Sequence, residues 1–139
     1  ACELINIEVG SIKLKSSIYK SEAWGKENQE DFYNQALVVE TNLAPEYLLD
    51  SVLKIEKKIG RSRLGKWEPR TIDIDILFYE NEIINKPDLI IPHPFLHLRK
   101  FALLPLLEIC PDYFHPGEKK SVSALLDECL DSLSVVKIS

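Results

Sequence analysis

Apolar and polar positions alternate from Ser11 to Tyr19. Ile12, Leu14 and Ile18 point one way, Lys13, Lys15 and Ser17 the other. A period of two predicts a half-buried strand. Before it, Ala1 to Glu8 reads as the tail of a helix. Glu22 to Asp31 is polar and contains Gly25, which predicts a loop carrying one exposed aromatic, Trp24. Gln35 to Thr41, rich in Val and Leu, predicts a second strand.

The period then changes. Pro45 and Glu46 open a helix, because proline suits a first helical position where its missing N–H loses nothing. Leu48, Val52, Ile55 and Ile59 form its apolar stripe. Lys57 and Lys58 suit the last turn, and Gly60 is a natural stop. A basic segment, Arg61 to Arg70, leads into a predicted third strand from Thr71 to Tyr79. Asn81 marks a turn, Glu82 to Asn85 a short arm that folds back, and Leu89 to Ile91 an extended piece closed by Pro92-His93-Pro94. Leu98 to Leu104 predicts a helix, with Pro105 starting a new turn. Ser121 to Leu133 predicts a final amphipathic helix. The interleaving gives an α+β class with a mostly antiparallel sheet.

Composition bounds what these elements can build. The 139 residues suit one domain, and 45% hydrophobic residues can fill a core. A net charge of -5 argues against bulk nucleic-acid binding. No apolar run is long enough to span a bilayer, and no secretory segment opens the chain. Cys2, Cys110 and Cys129 are odd in number and widely spaced, which favours free thiols over disulfides or zinc. A chain that opens at Ala1 and holds no methionine is expected to begin partway into the natural protein.

The chemistry concentrates in Trp67-Glu68-Pro69-Arg70-Thr71-Ile72-Asp73-Ile74-Asp75-Ile76-Leu77. On a strand, Ile72, Ile74, Ile76 and Phe78 face the core and Asp73 and Asp75 share the opposite face. Their Cα atoms would lie roughly 6–7 Å apart. Carboxylates that close repel unless a cation lies between them, and hard oxygen ligands point to magnesium. The plain alternative is a wet outer strand face. Arg61, Arg63, Lys66 and Arg70 tilt the balance, because guanidinium forks grip phosphate oxygens while magnesium bridges others. The alternative for that basic run is a solvated loop neutralising nearby acids. His93, bracketed by prolines, suits donation to a phosphate or the capping of a turn. His97 and His115 have no partner at metal-ligand spacing. Trp24, Phe32 and Phe101 could form a slot for a flat ring, although packing is the simpler reading of the last two. Asn34 could supply a paired donor and acceptor to a heterocycle edge. The chain has no GxxxxGK[ST] loop, no serine nucleophile elbow and no dinucleotide fingerprint.

The Trp67–Leu77 segment, a tryptophan and a P-R before D-x-D, resembles the signature of the 6-hydroxymethyl-7,8-dihydropterin pyrophosphokinase family. The resemblance continues through Ser16-Ser17-Ile18-Tyr19, Gln29 to Asn34, Glu40 to Glu46, and Ile55-Glu56 with Gly60-Arg61-Ser62-Arg63. It runs on through Ile91-Pro92-His93-Pro94, Arg99-Lys100-Phe101 and Pro105 to Ile109, in one register over nearly the whole chain. It implies a ferredoxin-like α+β sandwich, and the conversion of ATP and the pterin alcohol to AMP and the pterin diphosphate. It implies that Asp73 and Asp75 hold two magnesium ions, that Arg61 and Arg70 contact the ATP phosphates, and that Arg63 assists. Glu56, Ile76, His93 and Arg99 fall at nucleotide-side positions. Ser21, Glu22, Trp24, Phe32, Asn34 and Phe101 fall at pterin-side positions, and Trp67 closes over the site. A cytoplasmic enzyme that is a monomer or weak dimer, without nucleic-acid or membrane partners, is the accompanying expectation.

Departures from the family pattern are few. The opening strand with G-S-N-x-G is absent, and the expectation is that it belongs to the natural protein outside these 139 residues. Glu22 stands where proline is usual and Glu68 where glycine is common. Two readings compete with the enzyme. A binding module that kept the fold would not need Arg61, Arg70, Asp73 and Asp75 together. An RNA-contacting sheet would need a basic, aromatic face where this chain is acidic.

Overall fold

The computed structural model describes residues 1–21, 32–61, 72–132 and 134–138. Helix α1 (Cys2–Glu8) leads to strand β1 (Ser11–Lys15) and strand β2 (Tyr19–Ser21). Strands β3 (Phe32–Asn34) and β4 (Leu37–Glu40) return antiparallel, β3 against β2 and β4 against β1. Together they make one long hairpin with interruptions. The register shifts between Ile12 and Leu14, so strict alternation fails there and Leu14 is exposed. At the second interruption buried Ser16 holds the two halves together. Its N–H donates to Ala36 O (2.9 Å), and its Oγ accepts from Ala36 N (2.9 Å). The predicted strands Ser11–Tyr19 and Gln35–Thr41 are therefore each broken or displaced at this crossing.

Helix α2 (Pro45–Arg61) buries the predicted stripe: Leu48, Val52 and Ile55 join Ile5 and Val9 of the α1 end in one hydrophobic cluster, with Ile59 packed against it. The helix runs one residue past Gly60. Thr41 fixes its approach, donating through Oγ1 to Val9 O (2.6 Å) and accepting from Leu43 N (3.1 Å). Gly10 is needed where α1 turns into β1, because a Cβ there would lie 2.1 Å from Glu40 O.

Strands β5 (Ile84–Lys86) and β6 (Leu89–Ile91) form a hairpin, followed by a 3-10 turn (Leu96–Leu98) and helix α3 (Lys100–Ile109). Pro105 lies inside α3, not at the start of a new turn. Interior proline costs about 3 kcal/mol, but Pro105 is among the most completely buried side chains, so packing offsets the lost helical bond. A small hairpin, β7 (Phe114–His115) with β8 (Lys120–Ser121), precedes helix α4 (Val122–Glu128). Ser121 caps α4 by accepting from Ala124 N (3.2 Å). The helix ends at Glu128, well short of the predicted Leu133. Strand β9 (Val135–Lys137), not expected from the sequence pattern, joins the edge of β2. Leu103, Leu106, Val122, Leu125, Leu96 and Ala36 form the second cluster.

Residues 72–79 belong to no sheet, which corrects the predicted third strand. A strand needs a neighbour to accept its ladder bonds, and among the described residues none pairs with this segment. All three cysteines are free and half-buried.

Glu108 of α3 ties the layers together. Its carboxylate accepts from Ser17 N (3.0 Å), Ser17 Oγ (3.3 Å) and Tyr19 OH (2.9 Å), and lies 3.9 Å from Lys137 Nζ of β9. The Tyr19 hydroxyl bond, then the Ser17 amide, hold its pKa below the ordinary 4.5. A depressed carboxylate stabilises the fold above its unfolded value, and the contribution disappears as pH falls through its folded value. Glu108→Gln should therefore lower the thermal midpoint at neutral pH, with the difference from wild type vanishing in acid. Thermal unfolding across a pH series checks it; a constant difference at all pH values would contradict the assignment.

Candidate functional site

The acidic segment keeps strand-like alternation without a strand. Ile72, Ile74 and Ile76 are half-buried, while Asp73 and Asp75 are exposed. Ile74 and Ile76 pack into the α1–α2 cluster. Leu77 and Phe78 pack into the α3–α4 cluster, so Phe78 leaves the face predicted for it. The two aspartates are thus presented to solvent from a segment wedged between both clusters.

Glu56, on the second half of α2, holds this segment. Its Oε2 accepts from the Ile74 amide, the N–H between the two aspartates, at 2.6 Å. Further along, Tyr79 OH donates to Leu43 O (2.6 Å) and Leu77 O accepts from His93 N (2.9 Å). That last bond brings the proline-bracketed histidine beside the acidic pair. Burial pushes the His93 imidazole below its ordinary range. The Asp75 carboxylate opposes that shift and the Arg99 guanidinium adds to it. His93 Nδ1 accepts from Phe95 N (3.2 Å), which fixes the proton on Nε2 in the neutral ring.

Arg99 follows the 3-10 turn. Its guanidinium carbon lies 5.2 Å from the Phe95 ring centre and 5.5 Å from that of Phe101. Asp75, His93, Arg99 and Phe101 therefore share one region. Ile76 is directed into the α1–α2 cluster. On the other strand layer, Ser21 pairs with Phe32 across β2 and β3, and Asn34 pairs with Tyr19. Ser21 is buried and Phe32 is 58% exposed. Helix α3, which carries Phe101, packs against both strands. Glu22, Trp24, Arg63, Trp67 and Arg70 lie outside the described residues, and Arg61 is described only as the last residue of α2.

Two features were not foreseen: the tie from Glu56 to the Ile74 amide and the aromatic partner Phe95. The second had a signal, since Phe95 and Arg99 stand four residues apart around a single turn. A cleft of about 430 Å³ lies elsewhere, lined by His97, Glu118, Lys120, Glu128 and Asp131 among others, and contains none of the predicted site residues. Among the described residues no three His, Cys, Asp or Glu side chains gather as a metal cluster. A pair of exposed carboxylates nonetheless fits magnesium, which takes one or two carboxylates and completes its shell with water and substrate phosphates.

Glu56→Ala should expose an unsatisfied Ile74 amide, destabilising the fold by about 1–3 kcal/mol and speeding exchange of that amide. Glu56→Gln, which keeps an acceptor, should retain most of the protection. Hydrogen exchange at Ile74 is the measurement; equal protection in wild type and Glu56→Ala would refute the tie.

Sequence comparison finds a family and named relatives for this chain. The profile of the 7,8-dihydro-6-hydroxymethylpterin-pyrophosphokinase family matches residues 1–111. Three relatives are named 2-amino-4-hydroxy-6-hydroxymethyldihydropteridine pyrophosphokinase. That of Aquifex aeolicus is 47% identical over 81% of this chain and 71% of its own length. That of Synechocystis is 42% identical over 81% of this chain and 57% of its own. That of Haemophilus influenzae is 45% identical over 75% of this chain and 65% of its own. The match thus spans less than two thirds of the last two. A profile match over most of the chain, with identities at this level, places the protein in the 7,8-dihydro-6-hydroxymethylpterin-pyrophosphokinase family.

Proposed function

We propose that this chain carries the family's reaction: transfer of the diphosphate of ATP to 6-hydroxymethyl-7,8-dihydropterin, giving AMP and the pterin diphosphate for folate synthesis. The observation that carries the proposal is the paired exposure of Asp73 and Asp75 beside His93 and Arg99. The pterin hydroxyl oxygen bonds to the β-phosphorus. The bridging bond to the α-phosphate breaks, AMP leaves with the bridging oxygen, and the hydroxyl proton is released. No protein nucleophile is required, so the residues act by positioning and electrostatics.

In this reading Asp73 and Asp75 hold two magnesium ions, which when bound neutralise phosphate charge. Glu56 keeps the acidic segment in place through the Ile74 amide. His93 presents a neutral Nε2–H, and Arg99 a permanent cation, to the nucleotide side. Arg61, Arg63 and Arg70 grip the ATP phosphates, Ile76 lines the nucleotide side, and Trp67 closes over the ligands. Ser21, Glu22, Trp24, Phe32, Asn34 and Phe101 receive the pterin, with Phe32 and Phe101 on its two faces. The packing of α3 against β2 and β3 supports that last assignment.

The finer architecture belongs to the same proposal: one domain over residues 1–139 with ferredoxin-like layering, in which residues 72–79 find their strand partner in a segment outside this sequence. Their in–out alternation without a partner among the described residues supports it. A cytoplasmic monomer or weak dimer, without nucleic-acid partners, completes the reading. Among the described residues no helix is long and apolar enough to cross a membrane.

The test is AMP formation from ATP, magnesium and the dihydropterin alcohol by the full-length protein. AMP should appear only with the pterin. Asp75→Ala should lower the rate roughly a thousandfold, the loss expected when several kcal/mol of charge stabilisation is removed. A folded protein that binds ATP but forms no AMP would leave a binding module in place of the enzyme.

A further inference from the structure

We propose that Phe95 is a positioning residue for the Arg99 guanidinium, and through it for the polyphosphate of the nucleotide; this rests on the function proposed above. Phe95 belongs to neither hydrophobic cluster, and 51% of its surface is exposed. Core packing therefore does not account for it. Its ring lies 5.2 Å from the Arg99 guanidinium carbon, and Phe101 takes the other contact at 5.5 Å. Both are within the roughly 6 Å reach of cation–π attraction.

The exposed ring stands on a fixed backbone. Phe95 N donates to His93 Nδ1 (3.2 Å), and Phe95 O accepts from Leu98 N (3.0 Å). Between Phe95 and Arg99 lies Leu96, completely buried, whose carbonyl accepts from Arg99 N (3.2 Å). The 3-10 turn thus sets the spacing between ring and guanidinium. An arginine side chain otherwise samples many rotamers, and ordering it opposes binding. Rings that hold its faces restrict that sampling and leave the in-plane N–H groups for phosphate oxygens. The same backbone amide orients His93, so one residue sets two donors on the nucleotide side.

Phe95→Leu and Phe95→Tyr in the full-length protein test this, with the magnesium complex of α,β-methylene-ATP as equilibrium probe. Phe95→Leu should weaken nucleotide binding about two- to fivefold, the range expected for losing one exposed cation–π contact. KM for ATP should rise by the same factor while the thermal midpoint holds. Phe95→Tyr should restore wild-type affinity. The ring-current shift of the Arg99 Nε–H proton should be the same in wild type and Phe95→Tyr and smaller in Phe95→Leu, where only the Phe101 ring remains. A folded Phe95→Leu protein with unchanged nucleotide affinity, or failure of Phe95→Tyr to rescue, overturns the proposal. Absence of pterin-dependent AMP in wild type overturns only the proposed reaction, because nucleotide binding still reports on Phe95.

Discussion

Residues 72–79 form a segment with no strand beside it among the described residues, and the site depends on what holds it. Ile74 and Ile76 are half-buried against α1 and α2, a contribution of about 1–2 kcal/mol each. Leu77 and Phe78 are half-buried on the opposite cluster. Hydrogen bonds then fix the backbone: Glu56 to the Ile74 amide, Leu77 to His93, Tyr79 to Leu43, and Tyr113 to the Glu80 carbonyl. Three of these four ties come from side chains, and the fourth joins the Leu77 carbonyl to the His93 amide. Because apolar side chains occupy the inward positions, Asp73 and Asp75 have only solvent to face.

The second half of the site follows from the same segment. The Leu77 carbonyl fixes His93, and His93 Nδ1 fixes the Phe95 amide. The buried Leu96 then seats the 3-10 turn that delivers Arg99 and, one residue later, the start of α3 with Phe101. Helix α3 in turn rests on β2 and β3 and is secured to Ser17 and Tyr19 through Glu108. Acidic pair, cationic arm and aromatic hairpin are thus connected through a chain of packing and hydrogen-bond contacts.

Much of this was legible in the sequence. The alternation at Ile72–Ile76 and the stripe Leu48, Val52, Ile55 follow from periods of two and 3.6, and both faces turn inward as the patterns require. What escaped depended on tertiary context. Pro105 reads as a helix boundary by local rules, yet complete burial keeps it inside α3. The stretch 72–79 reads as a strand because pattern reports burial and not pairing. Val135–Lys137 is too short to signal a strand without β2 beside it. The Glu56 tie joins residues on separate elements, which spacing along the chain cannot reveal. For Arg61 and Arg70 the residue pattern alone leaves a solvated loop as an open alternative, and only the family resemblance assigns them to the ATP phosphates; Arg70 and the Arg61 side chain lie outside the described residues.

The central claim is that Asp73 and Asp75 form the cation site. Paramagnetic broadening of amide resonances by Mn2+, added with α,β-methylene-ATP, tests it most directly. The account predicts that the signals of Asp73 to Ile76 and of His93 broaden first, while the Phe114–Ser121 hairpin stays sharp. Broadening centred on the cleft around Glu118, Glu128 and Asp131, with Asp73 to Ile76 untouched, would contradict it.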